Sequence, residues 1–196
     1  AYGHIYINVN EAGIDMLSAS AHKFRGPKGV GFMYIRRDAI ETAFIHGGSQ
    51  EMGMRAGTEN VASVIGMAKA AQIAMETMSN RRIREMQLRN YMIQKITKNF
   101  NSARLNGTSQ NRLPNNVNIC FEGQNGYSIV SHLDRFGICA SAGSACSSAS
   151  SKPSHVLKAI GMTDEQARSS VRFTLNEDIT YKDIDYTIEC LRKIIS

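Results

Sequence analysis

Apolar and polar positions alternate along this chain with two periods, and each stretch of one period predicts an element. Ile14 to Ser20 reads as a strand ending at His22-Lys23, and Val30 to Ile35 as a second, with Arg25-Gly26-Pro27-Lys28-Gly29 as the turn between them. So short a connection cannot hold the crossover that parallel strands need. The two are therefore predicted to be antiparallel neighbours, with Lys23 at a strand end. A glycine-rich stretch from His46 to Thr58 follows. Asn60 to Met78, rich in Ala, Ile and Met, predicts a helix, and a basic helix is expected to follow between Arg81 and Arg104, with Ser79-Asn80 as the boundary. In the basic helix Ile83, Met86, Ile93, Ile96 and Phe100 are expected toward a core, and Arg81, Arg82, Arg84, Arg89, Lys95 and Lys98 largely on the other side.

Beyond the basic helix the pattern becomes that of a small α/β layer. Val117, Ile119 and Phe121 alternate as a strand, Tyr127 to Phe136 reads as a helix closed by Gly137, and Ile138 to Ala140 predicts the start of another strand. Pro153 can open a short helix that Gly161 ends, and Thr163 with Gln166 offers a capping box for the next. Val171, Phe173 and Leu175 alternate as a strand. Thr180 caps a last helix whose apolar stripe is Ile184, Ile188, Leu191 and Ile195, a core-facing pattern.

Composition narrows the class. The chain has 196 residues and is 42% hydrophobic, enough for one large domain or two small ones. No apolar run approaches the roughly 18 to 20 residues that cross a bilayer, and Ala1-Tyr2-Gly3-His4 lacks a basic-then-apolar secretory pattern, so a soluble cytoplasmic protein is expected. Cys120, Cys139, Cys146 and Cys190 match neither a zinc-ligand pair nor a Cys-x-x-Cys redox pair. Cys120, Cys139 and Cys190 fall inside apolar patterns and are expected to be small buried residues. The net charge of +6, from 23 basic and 17 acidic residues, concentrates in the basic helix. Nucleic-acid binding would call for aromatic residues interleaved with the basic ones or a recognisable reading module, and neither is present. An acidic partner surface suits the charge better.

Three segments resist a purely structural explanation. In Ser18-Ala19-Ser20-Ala21-His22-Lys23, a lysine at a strand end beside small residues can be partly desolvated, which favours the neutral amine that forms a Schiff base. Ser20 and His22 can donate to a nearby anion, and the glycine turn lets backbone approach closely. Ser141 to Ser151 is drawn only from Ser, Ala, Gly and Cys, which predicts a mobile surface loop carrying one soft nucleophile, Cys146. An unperturbed cysteine is only about 3% thiolate at pH 7, so a site base or cation must activate it. In the third segment, strand alternation of Val171, Phe173 and Leu175 turns Arg172 to the opposite face beside Thr174, where its fork can grip a carboxylate. Taken singly, each has a bland alternative: a surface lysine before a turn, a Gly/Ser linker with an incidental cysteine, and a sheet arginine in an ordinary ion pair.

Taken in order, Ser20-Ala-His-Lys-Phe-Arg-Gly-Pro-Lys-Gly-Val-Gly31, His46-Gly-Gly-Ser-Gln-Glu51, Arg55-Ala-Gly-Thr-Glu-Asn60 and Gly143-Ser-Ala-Cys-Ser-Ser-Ala-Ser150 resemble the NifS/IscS-type cysteine desulfurases. These are class V, fold-type I transferases dependent on pyridoxal 5'-phosphate, and the likeness runs over essentially the whole chain. The resemblance implies an α/β fold in which residues 1–79 are the C-terminal part of the cofactor-binding large domain, supplying the closing strands of its sheet. Residues 80–196 would be the small α+β C-terminal domain carrying the cysteine loop. It further implies that Lys23 holds the cofactor covalently, that Ser20 and His22 bind its phosphate, and that Thr58 reaches the phosphate from the neighbouring subunit of a homodimer. Arg172 would hold the α-carboxylate of L-cysteine, and Cys146 would attack the sulfur of the bound substrate to leave L-alanine and a persulfide. The long loop is similar to that of the group delivering sulfur to a scaffold, so an iron–sulfur scaffold or sulfur-carrier protein is the implied partner. His46 and Gln50 match the pattern without an assigned role.

The resemblance also implies that an aspartate for the pyridine nitrogen, a glutamine at the cofactor ring and a stacking histidine fall before Ala1. By itself the chain is therefore expected to hold the cofactor weakly or not at all, and to have little or no desulfurase activity. Residues 1–79 are expected to present a raw sheet edge and to be displaced, paired with another chain or disordered, while 80–196 fold compactly. The rival readings are another class V enzyme, such as a selenocysteine lyase or an aminotransferase, and a docking module without chemistry.

Overall fold

The hairpin predicted at the start of the chain forms, and it is covered. A computed structural model describes residues 1–39, 42–143 and 153–195, in two units, Ala1–Ser79 and Asn80–Ser196. In the first unit β1 (Met16–Ser20) and β2 (Gly31–Ile35) pair antiparallel, from Met16 opposite Ile35 to Ser20 opposite Gly31. One face of the pair carries Ala19 and Phe32. These residues, with Tyr2 and Met67, surround buried Ala21, Phe24 and Ala74. The Tyr2 ring meets Phe24 and Phe32 edge-on at 5.0 and 4.9 Å. Apolar cover from Tyr2 and the following helix gives the hairpin a small core of its own. Its outward face, with Met16 and Met33, is open.

Helix α1 runs unbroken from Val61 to Asn99. The two helices expected on either side of Ser79-Asn80 are thus one, and it stops short of Arg104. Neither Ser nor Asn breaks a helix. Each costs roughly 0.5 kcal/mol relative to Ala in a helix interior, where Gly costs about 1 and Pro about 3. The boundary between the units falls within this helix.

The second unit is a four-stranded antiparallel sheet in the order β3 (Ala103–Leu105), β4 (Asn116–Phe121), β6 (Ser170–Thr174), β5 (Ser141–Ala142). Val117, Ile119 and Phe121 of β4 and Val171 and Phe173 of β6 point to one face. There they form a core with Leu88, Met92 and Ile96 of α1, with Ile129 and Leu133 of α2 (Gly126–Arg135), and with Ile184, Ile188 and Leu191 of α5 (Tyr181–Ile195). Asn125 caps α2 by accepting from the Tyr127 and Ser128 N–H groups, and Gly137 follows the helix at φ 74°. Ser154 caps α3 (His155–Ala159), and the Thr163–Gln166 capping box opens α4 (Asp164–Arg168). Thr180 and Asp183 cap α5 reciprocally.

The stretch 138–140 is not a strand; β5 starts at Ser141, and Cys139 is exposed between half-buried Ile138 and Ala140. In the basic part of α1 the inward stripe is Leu88, Met92, Ile96 and Phe100, steps of four that follow the core groove, so Ile83 is exposed. Arg89 is buried instead, with Nη1 donating to the Leu113 carbonyl at 3.2 Å and Nε and Nη2 donating to Asn90 Oδ1. Burial holds the Arg89 guanidinium below its ordinary pKa. No helix among the described residues is long and apolar enough to cross a membrane.

Lys95 and Tyr91 of α1 meet Asp185 of α5 at 2.9 Å each. The Lys95 ammonium and the Tyr91 hydroxyl hold the Asp185 carboxyl below the usual carboxylate range, and Asp185 raises Lys95. The Asp185 contribution is complete above its unfolded pKa of about 3.9 and disappears as pH falls through the lower folded value. Asp185→Asn should therefore lower Tm at pH 6 and converge on the parent protein toward pH 2. A difference that persists unchanged to pH 2 in thermal melts would contradict this linkage.

Candidate functional site

The end of β1 sets out the first group of polar heads. After Ser20 the backbone enters a 3-10 turn, Ala21–Phe24. With three residues per turn, positions i and i+3 eclipse. Ala21 and Phe24 therefore both point into the core, while His22 and Lys23 between them point outward. Two glycines make this turn fit. A Cβ at Gly26 would stand 2.9 Å from Ala21 Cβ, and one at Gly31, opposite Ser20, only 2.5 Å from the Ala19 carbonyl oxygen. Ser20 Oγ, the His22 ring and Lys23 Nζ are all exposed, and none has a hydrogen-bond or ion-pair partner among the described residues. A hydroxyl, an imidazole and an ammonium left open on one turn form a donor set that fits a phosphate ester beside a reactive carbonyl, as in pyridoxal phosphate.

Thr58 lies outside that turn, exposed at the end of the glycine-rich segment. Gln50 closes this segment, its side-chain oxygen accepting from the Gly57 N–H at 3.1 Å, and Ile45 bridges Arg55 in parallel. Gln50 thus has a structural task just before Thr58, which its sequence context did not disclose. His46 is exposed.

In the second unit Arg172 projects from β6 on the face opposite buried Val171 and Phe173, with Asn118 of β4 directly across on one side and Ser141 of β5 on the other. It forms no ion pair with any described residue, and its Nε is buried without a hydrogen-bond partner among them. A buried guanidinium N–H with nothing to donate to is a costly arrangement that an anion would complete. Cys146 lies outside the described residues; the described chain stops at Gly143, one residue past β5, and resumes at Pro153. Cys120 is no substitute for it, because burial pushes its thiol above the ordinary value and it sits fully within the sheet. A cavity of about 310 Å³ beside α2, lined by Tyr127, Asp134 and Cys139 among others, contains none of the residues expected at the site.

Sequence reasoning missed Asn106 and Asn118. The signal was present in Asn116 and Asn118, polar residues at alternate positions of a strand whose other positions are apolar.

These features have relatives. The aminotransferase class-V family model matches residues 1–187, and the chain belongs to that family. Within it the similarity runs to cysteine desulfurases: the IscS cysteine desulfurase of Dictyoglomus turgidum is 51% identical over 193 residues, 98% of this chain and 49% of that protein. Among solved structures, a NifS-like protein superposes with a TM-score of 0.87 at 31% identity, over 100% of this chain and 50% of its own. The NifS-like protein of Rickettsia africae does so at 0.86 and 30%, over 98% and 51%. The chain spans about half the length of the relatives it matches.

Proposed function

We propose that the protein takes part in removing sulfur from L-cysteine, yielding L-alanine and a persulfide on Cys146. The observation that carries this reading is the Ser20–His22–Lys23 turn, with three donor heads left open beside a glycine that only a backbone-tight approach requires. Family membership implies pyridoxal 5'-phosphate, which when bound supplies an electron sink for the substrate's α-carbon. Lys23 Nζ would anchor that group, and Ser20 Oγ and the His22 ring would donate to its phosphate. Arg172 grips the substrate α-carboxylate with its fork, satisfying the orphaned Nε region of its own side chain. Cys146, as thiolate, would attack the substrate sulfur and keep it as a persulfide, the bond from that sulfur to the substrate β-carbon breaking with its electron pair left on carbon, which takes up a proton to become the methyl group of L-alanine.

In this reading residues 1–79 belong to the large, cofactor-binding domain and residues 80–196 to the small domain bearing the cysteine. Thr58 serves the phosphate of a neighbouring subunit in a homodimer. The persulfide passes to a sulfur-accepting protein, either an iron–sulfur scaffold or a sulfur carrier.

The test is Cys146→Ala in a full-length protein of the relatives' length. Sulfide released from L-cysteine in the presence of a reductant should fall at least a hundredfold, and the persulfide adduct should vanish from the intact mass, while the cofactor's absorbance is retained. Undiminished sulfur transfer would overturn the assignment.

A further inference from the structure

A chain of hydrogen bonds lies on the sheet face that carries Arg172, and the chemistry above does not use it. Asn106 Nδ2 donates to Asn118 Oδ1 at 2.7 Å and to Ser170 Oγ at 2.9 Å, and Ser170 Oγ donates to the Gln166 carbonyl at 2.7 Å. A carbonyl only accepts, and a hydroxyl has one proton to give. Ser170 therefore donates to Gln166 and must accept from Asn106, so the NH2 of Asn106 faces Ser170. That same NH2 meets Asn118, whose side-chain oxygen is thereby turned toward Asn106. The direction of the whole chain is set by one backbone carbonyl.

The consequence lies at the other end. The NH2 of Asn118 is turned away from Asn106 and has no hydrogen-bond partner among the described residues. Asn118 is the register partner of Arg172. Facing residues on one side of an antiparallel pair have Cβ atoms about 5 Å apart. An amide presenting only N–H donors thus stands beside a guanidinium that can only donate, and neither has an acceptor among the described residues. An anion accepting from both would satisfy the pair. A carboxylate has about four lone-pair positions, so a bidentate arginine leaves room for another donor.

We infer that Asn118 donates to the same substrate carboxylate as Arg172, and that Asn106 and Ser170 are positioning residues that keep its amide the right way round. This rests on the reading that Arg172 takes the α-carboxylate, and adds a determinant of specificity to it. The arginine fork alone suits many anions. A second donor fixed at one angle favours an amino acid over the amine that lacks its carboxylate.

The experiment compares L-alanine with ethylamine, which differ by the carboxylate alone, in spectral or calorimetric titrations of the cofactor-loaded full-length protein. Asn118→Asp turns the donor into an acceptor and offers Arg172 an internal partner. It should weaken L-alanine about thirtyfold and leave ethylamine within about twofold; Asn118→Ala should cost about tenfold, and Asn106→Ala about threefold, again for L-alanine only. Asn118→Ala provides the measurement if the aspartate variant does not fold. An unchanged L-alanine affinity in the Asn118 variants, or equal losses for both amines, overturns the inference. Arg172→Gln separates the two levels. If it loses the preference for L-alanine while Asn118→Ala keeps it, the carboxylate reading stands and the Asn118 inference falls; if Arg172→Gln also keeps it, both fall.

Discussion

Lys23→Ala in the full-length protein should lower sulfide release from L-cysteine by roughly three orders of magnitude or more, the scale expected when a covalent catalytic group is removed. It should also abolish the absorbance of the covalently held cofactor. Compared with the parent after cofactor is removed from both, the fold should hardly notice. Lys23 is exposed on the outer side of the 3-10 turn, and its ammonium has no hydrogen-bond or ion-pair partner among the described residues. Exposed substitutions of that kind usually stay within about 0.5 kcal/mol. Unchanged melting together with lost activity would therefore mark a chemical loss. Lys23→Arg sharpens the point, because it keeps the positive charge and removes a nucleophilic amine, and it should be as inactive as the alanine variant. Activity within tenfold of the parent in either variant would remove Lys23 from the site.

Phe121→Ala should be the most destabilising single truncation in the second unit, at about 3–5 kcal/mol. Phe121 is fully buried on β4, in register with Ala103 of β3, and its ring meets Phe100 edge-on at 6.1 Å. A strand in mid-sheet, held by neighbours on both sides, cannot collapse into the vacated volume, which is why the upper part of the range is expected. Thermal melts should show Tm lowered by roughly 10 °C or more. Phe121→Leu, which refills much of the space, should recover most of the loss. A cost below about 1 kcal/mol would mean that the core is not built around this residue.

Much of the fold was legible because its causes are local. The Thr163–Gln166 box, the Thr180 cap and the glycine after α2 each depend on four or five consecutive residues. The hairpin whose connection carries Lys23 followed from a link too short for anything but antiparallel pairing. The sidedness of Arg172 followed from the strict period of two in β6. The failures have a common cause as well. Whether Ile83 or Arg89 lies inside depends on where the groove between the sheet and α5 meets α1, and a helix pattern with apolar residues on several sides does not choose. Cys139 looked buried because the residues around it are apolar, but β5 starts two residues later and leaves its thiol outside.

By itself, then, the sequence determined the element types, the hairpin turn and the family resemblance carried by four short motifs, since backbone preferences and side-chain periodicity act over a few residues. Only the tertiary structure decided that α1 is a single helix, that Arg172 stands without a counter-ion among the described residues, and that Asn118 presents its amide beside it. Those outcomes depend on residues brought together from far along the chain. Asn106 and Ser170 are 64 positions apart, and the direction of a hydrogen bond is set by what its partners have left to give.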